Sequence, residues 1–256
     1  MAPYARYVAI GDSQTEGLWD GDDSAGLTGF ADRLAAIIES HHPGVTYANL
    51  AVRGRRICDL LEKQLPLALA MQPDLITVCI GMNDVTRPGP FFDGALAELD
   101  DLHTQLARSG ATVVTTTFPD LAKLLPVGRV IAPRVERINE EIRRAAARYG
   151  FRLVDLYDAP SMTDPDTWSN DRVHGSTKGH KLFAAAAAEA LGLPGSNHDW
   201  ANVDRPGRRP SLGSQAHSQV LWTQNMMMPW LWRHVRGLSE GDGRGPKRPR
   251  LENLEV

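Results

Sequence analysis

The sequence predicts an α/β fold built on a five-stranded, mainly parallel sheet with helices on both faces. Three observations predict it. Strand-like and helix-like segments alternate over the first two hundred residues, the mark of βαβ units. The strand segments are apolar on both faces, as a buried parallel sheet requires. Length and composition agree: 256 residues, 42% hydrophobic and 23% charged, suffice for one sizeable core without disulfide or metal staples.

The elements follow in order. Tyr7–Gly11 is a short apolar strand that runs into Gly-Asp-Ser. Gly29–His41 places Phe30, Leu34, Ile37 and Ile38 at helical spacing. Val45–Leu50 reads as the second strand. Ile57–Met71 reads as a helix that Pro66 should kink or divide. Leu75–Ile80 is a β-branched and apolar run bounded by Gly81. Phe91–Arg108 is helical and stops at Gly110, a C-terminal cap signal. Ala111–Thr117 is a strand ended by Pro119. Pro133–Tyr149 is a strongly amphipathic helix stopped by Gly150, Arg152–Leu156 is the fifth strand, and Thr177–Leu191 is an alanine-rich last helix.

Charge divides the chain where the average conceals it. The formal net charge is −3, yet residues 201–256 carry nine Lys/Arg against five Asp/Glu, and residues 1–200 carry 19 against 26. Three of the six tryptophans (Trp222, Trp230, Trp232) and Met226–Met228 also sit in the basic part. The expected organisation is a catalytic domain over 1–193, a Trp/Met-rich extension over 194–236, and a basic, disordered tail over 237–256. No apolar run reaches the roughly 18 residues of a membrane span, and the first residues lead straight into a strand rather than a secretory signal. Two cysteines, Cys58 and Cys79, are too few for a disulfide scaffold or a zinc cluster. A cytoplasmic setting and no metal are therefore expected.

In an open parallel sheet, functional groups collect beyond the carboxyl ends of the strands. The first strand ends in Gly11-Asp12-Ser13, which reads either as a plain turn or as a serine presented to the crevice beside backbone N–H donors. The second strand leads to Gly54, either a turn glycine or a point of close backbone approach to a ligand. The third ends in Gly81-Met82-Asn83-Asp84, where Asn83 either terminates the strand in an Asx-turn or donates its amide into the crevice. After the fifth strand comes Asp171-Arg172-Val173-His174. Serine is a weak nucleophile and needs a base. Histidine titrates near neutrality, and an aspartate three residues earlier can hold its tautomer. The other seven histidines read as structural; His180, the nearest rival, lies at a helix start with no acid beside it.

Taken together, these four blocks resemble those of the SGNH hydrolase family, also called GDSL-type esterases. The likeness spans Tyr7 to Leu191. It implies a three-layer α/β/α sandwich of the flavodoxin-like kind. It implies Ser13 as nucleophile, His174 as general base and then acid, and Asp171 as its orienting partner. It implies an oxyanion hole made by the backbone N–H groups of Ser13 and Gly54 and the side-chain amide of Asn83. The implied reaction is acyl transfer to water through an acyl-enzyme, with no metal or organic cofactor. The family pattern often has leucine after the serine; here the residue is Gln14. A second match, Gly237-Leu238-Ser239-Glu240-Gly241, has the form of a nucleophile elbow. It is a chance match, since a Gly/basic stretch follows it and no histidine comes later.

Substrate and partners are less constrained. Trp19, Phe91 and Trp168, with Phe92 and Met162, either line an apolar acyl cleft or pack beneath their loops. The expected substrates are small esters of short to medium acyl chains, with a deacetylase or thioesterase of the same fold as the alternative. A non-catalytic phosphate- or nucleotide-binding crevice lacks the Gly-rich loop it needs, and a scaffold with a vestigial site leaves the full marker set unexplained. The tail admits three readings: packing on the domain, a partner surface, or contact of Lys247-Arg248-Pro249-Arg250 with an anionic membrane face. One four-residue basic cluster on an acidic domain is poor support for nucleic-acid binding. Oligomeric state is left open.

Overall fold

In the computed structural model, which describes residues 4–24, 26–124, 128–203 and 241–254, the chain alternates as the sequence predicts. It runs β1 (Arg6–Gly11), α1 (Ser13–Glu16), β2 (Gly21–Asp22), β3 (Gly26–Leu27), α2 (Gly29–His41), β4 (Thr46–Asn49), α3 (Ile57–Asp59) and α4 (Leu65–Ala70). It continues through β5 (Leu75–Cys79), α5 (Met82–Val85), α6 (Phe92–Ala107), β6 (Thr112–Thr116), α7 (Leu121–Leu124), α8 (Gly128–Tyr149), β7 (Arg152–Val154), α9 (Thr177–Ala190) and β8 (Arg248–Asn253).

The main sheet has the order β7-β6-β5-β1-β4-β8. The five predicted strands are all parallel, with Val8 of β1 opposite Ala48 of β4 on one side and Ile76 of β5 on the other. Helix α2 packs on α9, and α6 packs on α8, so the sheet is flanked by helices as expected. Every residue of β5 is buried. Each Leu, Ile or Val withdrawn from water in this way contributes roughly 1.5–3 kcal/mol. Tyr7 and Tyr47 stack across the β1–β4 pair at 4.9 Å, and the Tyr7 hydroxyl meets Thr77 Oγ1 at 2.9 Å. Strands β4 and β5 are reached in opposite directions from β1, so the crevice at the carboxyl end of β1 is the topological switch point of the sheet.

Two expectations are corrected. The sheet has six strands rather than five, because β8 adds antiparallel to β4, with Thr46 opposite Asn253 and Tyr47 opposite Glu252. The same strand overturns the disordered tail over residues 241–254. The Pro/basic composition concealed it, because a strand at a sheet edge can carry charge and a proline that an inner strand cannot. The cluster is engaged with the domain: Lys247 Nζ lies 2.5 Å from Asp32 Oδ2 and bonds the Leu27 and Thr28 carbonyls. The Arg248 guanidinium lies 5.4 Å from the centre of the Tyr47 ring. Trp222, Met226–Met228, Trp230, Trp232 and Ser239 fall outside the described residues.

Pro66 does divide its helix, but by a specific device. Between α3 and α4, Leu60–Gln64 is a π-helical turn in which Leu65 N–H bonds the Leu60 carbonyl. The wider turn places Pro66 at the start of α4, where its missing N–H costs little. Helix α8 begins at Gly128, upstream of the predicted start, and keeps Pro133 inside it.

Candidate active site

The site begins with the turn out of β1. Gly11 has φ +155°, and a Cβ there would lie 2.3 Å from Thr15 Oγ1 and 2.4 Å from the Cys79 carbonyl oxygen. Only glycine fits, so the chain can pass close to β5 and turn at once into α1. Asp12 caps α1, its Oδ1 accepting from Gln14 N–H at 3.2 Å. Ser13 is the first residue of that helix and is 7% exposed.

The loop before α9 brings the other two groups. Trp168 and Gly175 form an antiparallel bridge, and Ser169 N–H bonds the His174 carbonyl at 2.8 Å. The loop is thereby closed around Asp171 and His174. His174 Nε2 lies 2.7 Å from Ser13 Oγ, and its Nδ1 lies 2.7 Å from Asp171 Oδ2. The second oxygen of Asp171 accepts from Val173 N–H, His174 N–H and Ser169 Oγ at 2.9, 2.9 and 2.7 Å. Burial alone would raise this carboxyl. The hydrogen bond and charge of His174, with the backbone and Ser169 bonds, instead hold it well below the usual carboxylate range. Asp171 is therefore an anion fixed on three sides, facing one imidazole nitrogen.

Asn83 sits in the first turn of α5, after β5. Its Nδ2 donates to the Arg55 carbonyl at 2.9 Å and makes a longer contact, 3.2 Å, with Asp12 Oδ2. Gly54 precedes Arg55 with φ +73°, a left-handed conformation suited to glycine. The next acid, Asp84, accepts from Ile57 N–H at 3.2 Å and so caps α3. Burial pushes Asp84 up to about 7 and Asp12 up to about 6. His180 is buried with Nε2 3.1 Å from the Leu18 carbonyl, so it fixes the turn after α1 rather than the serine. Among the described residues, no three His, Cys, Asp or Glu side chains converge as a metal-ligand set. Nor is any described helix long and apolar enough to cross a membrane.

The proposed substrate residues do not share one fate. Trp19 is 41% exposed, with φ +72°, on the turn that follows α1. Phe91 is 51% exposed, with the Arg87 guanidinium 3.8 Å from its ring centre. Trp168 is 6% exposed, and its indole N–H bonds the Met162 carbonyl at 2.8 Å. It packs on Phe183. Trp168 therefore braces its loop; Phe92 and Met162 are buried likewise.

Gln64 has a role that the sequence does not announce, and Gln14, noted there only as a departure from leucine, has a partner that the sequence does not show. Gln64, on the π-helical turn, is buried against Gly11. Its signal was a long polar residue on an otherwise apolar helix face. Gln14 spans the crevice, its Oε1 accepting from Gly175 N–H at 3.1 Å. It thus ties the serine's helix to the histidine's loop where leucine could not.

Comparison with known proteins gives the family and the fold. Residues 9–182 match the model of the GDSL-like lipase/acylhydrolase family. The chain is 26% identical over 213 residues to an acetylxylan esterase of Geobacillus stearothermophilus, covering 73% of this chain and 94% of that enzyme. The crystal structure of LAE5, an alpha/beta hydrolase enzyme from the metagenome of Lake Arreo, is similar with a TM-score of 0.62 and 24% identity, over 73% of this chain and 95% of that one. That of Axe2, an acetylxylan esterase of G. stearothermophilus, is similar with a TM-score of 0.62 and 21% identity, over 78% and 97% of the two chains. At these identities the structural likenesses speak to the fold.

Proposed function

Because the chain belongs to the GDSL-like lipase/acylhydrolase family, it is a carboxylic ester hydrolase, and we propose that Ser13, His174 and Asp171 are its catalytic residues. The observation that carries this reading is the continuous line of contacts, 2.7 Å from Ser13 Oγ to His174 Nε2 and 2.7 Å from His174 Nδ1 to Asp171 Oδ2.

Each step follows from that line. His174 Nε2 takes the hydroxyl proton as Ser13 Oγ attacks the ester carbonyl carbon. The imidazolium so formed faces the Asp171 anion, which stabilises it without accepting the proton. The negative charge on the former carbonyl oxygen is met by the Ser13 and Gly54 N–H groups and by Asn83. The Arg55 carbonyl holds one Asn83 N–H, so the hydrogen on the longer Asp12 contact is the one that turns to the oxyanion. One such donor is typically worth about 3–4 kcal/mol in the transition state. The tetrahedral intermediate collapses, the ester C–O bond breaks, and His174 returns the proton to the leaving alcohol. Water then attacks the acyl-serine with His174 again as base, releasing the acid and restoring Ser13.

For substrates we infer short to medium acyl esters, acetylated sugars among them. The likeness to an acetylxylan esterase supports acetyl transfer. The exposed Trp19 and Phe91 offer flat apolar surfaces suited to sugar or short acyl groups. A reducing compartment suits the two cysteines, both free. The test is labelling with a fluorophosphonate, which traps an activated serine. Wild type should label and Ser13→Ala should not; labelling that persists in Ser13→Ala, or fails in both, refutes the nucleophile. Turnover of acetyl to octanoyl nitrophenyl esters should exceed that of the palmitoyl ester.

A further inference from the structure

The returning C-terminal segment does more than extend the sheet. Before it pairs with β4 as β8, it crosses the loop that follows β4, where Arg53, Gly54 and Arg55 lie. Gly241 is buried there: a Cβ on it would stand 2.3 Å from the Arg53 carbonyl oxygen and 2.9 Å from Val52 Cγ1. Its own carbonyl accepts from Arg55 Nη2 at 2.8 Å, and Asp242 Oδ1 lies 3.5 Å from Arg55 Nη1. Arg55 is the residue whose main-chain carbonyl takes an N–H of Asn83 at 2.9 Å.

The other side of Gly54 is tied to the same segment. Arg53 pairs with Glu16 and with Asp23, each at 2.8 Å. Asp23 also pairs with Arg244 at 2.7 Å. Both neighbours of Gly54 are thus held by the segment, Arg55 directly and Arg53 through Asp23. The segment itself is anchored by Lys247 on Asp32 and by the β4–β8 ladder. It lies outside the family match, which ends at residue 182.

We propose that residues 241–253 form a strap that positions the oxyanion donors, fixing Arg55 through the Gly241 carbonyl and Asn83 through the Arg55 carbonyl. Arg55 is a positioning residue: it touches no reacting atom and acts through Asn83 and Gly54. Oxyanion stabilisation requires donors set before charge develops, and a loop with a left-handed glycine has little stiffness of its own. The strap supplies that stiffness from a part of the chain beyond the family match. The inference rests on the reading of Asn83 and Gly54 as oxyanion donors.

The test uses the full chain and nitrophenyl acetate. Hydrolysis is measured for wild type, Ser13→Ala, Arg55→Ala, Arg55→Lys, Gly241→Ala, Asn83→Ala and the Arg55→Ala/Asn83→Ala double variant. Arg55→Ala and Gly241→Ala should each lower kcat about tenfold, with KM changed less than about twofold, because the donors act on the transition state. Arg55→Lys should recover most of the loss, since an ammonium can still donate to the Gly241 carbonyl. In the Asn83→Ala background the further cost of Arg55→Ala should shrink to about twofold or less, the non-additivity of residues acting as one unit. An equal cost in both backgrounds, an unchanged kcat, or a loss confined to KM overturns the strap. If Gly241→Ala fails to fold, the Arg55/Asn83 cycle decides alone. Wild type without Ser13-dependent hydrolysis overturns the catalytic reading and the strap with it. Normal wild-type hydrolysis with an additive cycle overturns the strap only.

Discussion

The side chain of Gln64 satisfies both backbone groups of Gly11: Oε1 accepts the Gly11 N–H and Nε2 donates to the Gly11 carbonyl, each at 2.9 Å. A side-chain amide thus replaces a ladder partner for the residue two places before Ser13. The π-helical turn aims it there, an instance of π-turns gathering near functional sites.

Gln64→Leu should therefore cost both stability and activity. It strands a buried donor and a buried acceptor, each worth about 1–3 kcal/mol when left unpaired. The expected fall in Tm is roughly 5–10 °C for a chain of this size, read by calorimetry, with a drop in kcat as the turn into Ser13 loosens. An unchanged Tm means the Gly11 groups find other partners.

The two partners of the imidazole should differ in weight. His174→Ala removes the proton acceptor and should lower kcat at least about a thousandfold. Asp171→Asn keeps the shape of the loop but loses the anion that faces the imidazolium, and should cost about tenfold less than His174→Ala. Steady-state kinetics on one ester decide. Equal losses mean that Asp171 does more than orient and stabilise the ring.

Asp84 should make stability depend on pH in a set direction. Burial raises its folded-state value to about 7, above the ordinary aspartate value of about 4. A raised acid favours the protonated folded form, so its contribution is full below about pH 4 and is lost as pH rises through about 7. Asp84→Asn keeps an acceptor for Ile57 N–H but cannot ionise. The variant should gain stability relative to wild type between pH 4.5 and pH 8, by roughly 1–3 kcal/mol. Urea unfolding at the two pH values measures this; a constant difference would falsify it.

Trp168 and Trp19 should separate packing from recognition. Trp168→Ala empties a buried site and should destabilise by about 3–5 kcal/mol, disturbing His174 only through the loop. Trp19→Ala should leave the Tm within about 2 °C, since the ring is 41% exposed, and raise KM for aryl or sugar acetates. Thermal melts beside KM values distinguish them. A large fall in Tm for Trp19→Ala would make it another packing residue.

Much of this was legible in the sequence because its cause is local. The β-branched run Leu75–Cys79, Gly-Asp-Ser at the end of β1 and the three-residue spacing of Asp171 and His174 each carry their structure in a short window. What was not legible depends on distance in the chain. Gln64 makes sense only beside Gly11, and Gln14 only beside Gly175, 161 residues away. The burial of Trp168 was not legible because an aromatic near the Asp171–His174 loop reads the same whether it faces in or out. The strand Arg248–Asn253 had no apolar period, since a strand beside β4 at the rim draws its stability from main-chain bonds rather than burial.

That last strand changes what the protein shows to its neighbours. Without it the rim of the sheet would be Thr46–Asn49, four residues of which three are fully covered in the folded chain, with a row of open main-chain groups beside them. Such a rim templates strand addition between molecules. With it, the rim is Arg-Pro-Arg-Leu-Glu-Asn, and its ladder with β4 shifts register between Tyr47 and Asn49. Proline, charge and an irregular register each hinder a further strand from joining. The opposite rim, β7, is only three residues long. Both rims of the sheet are thus poor templates for a further strand from another molecule.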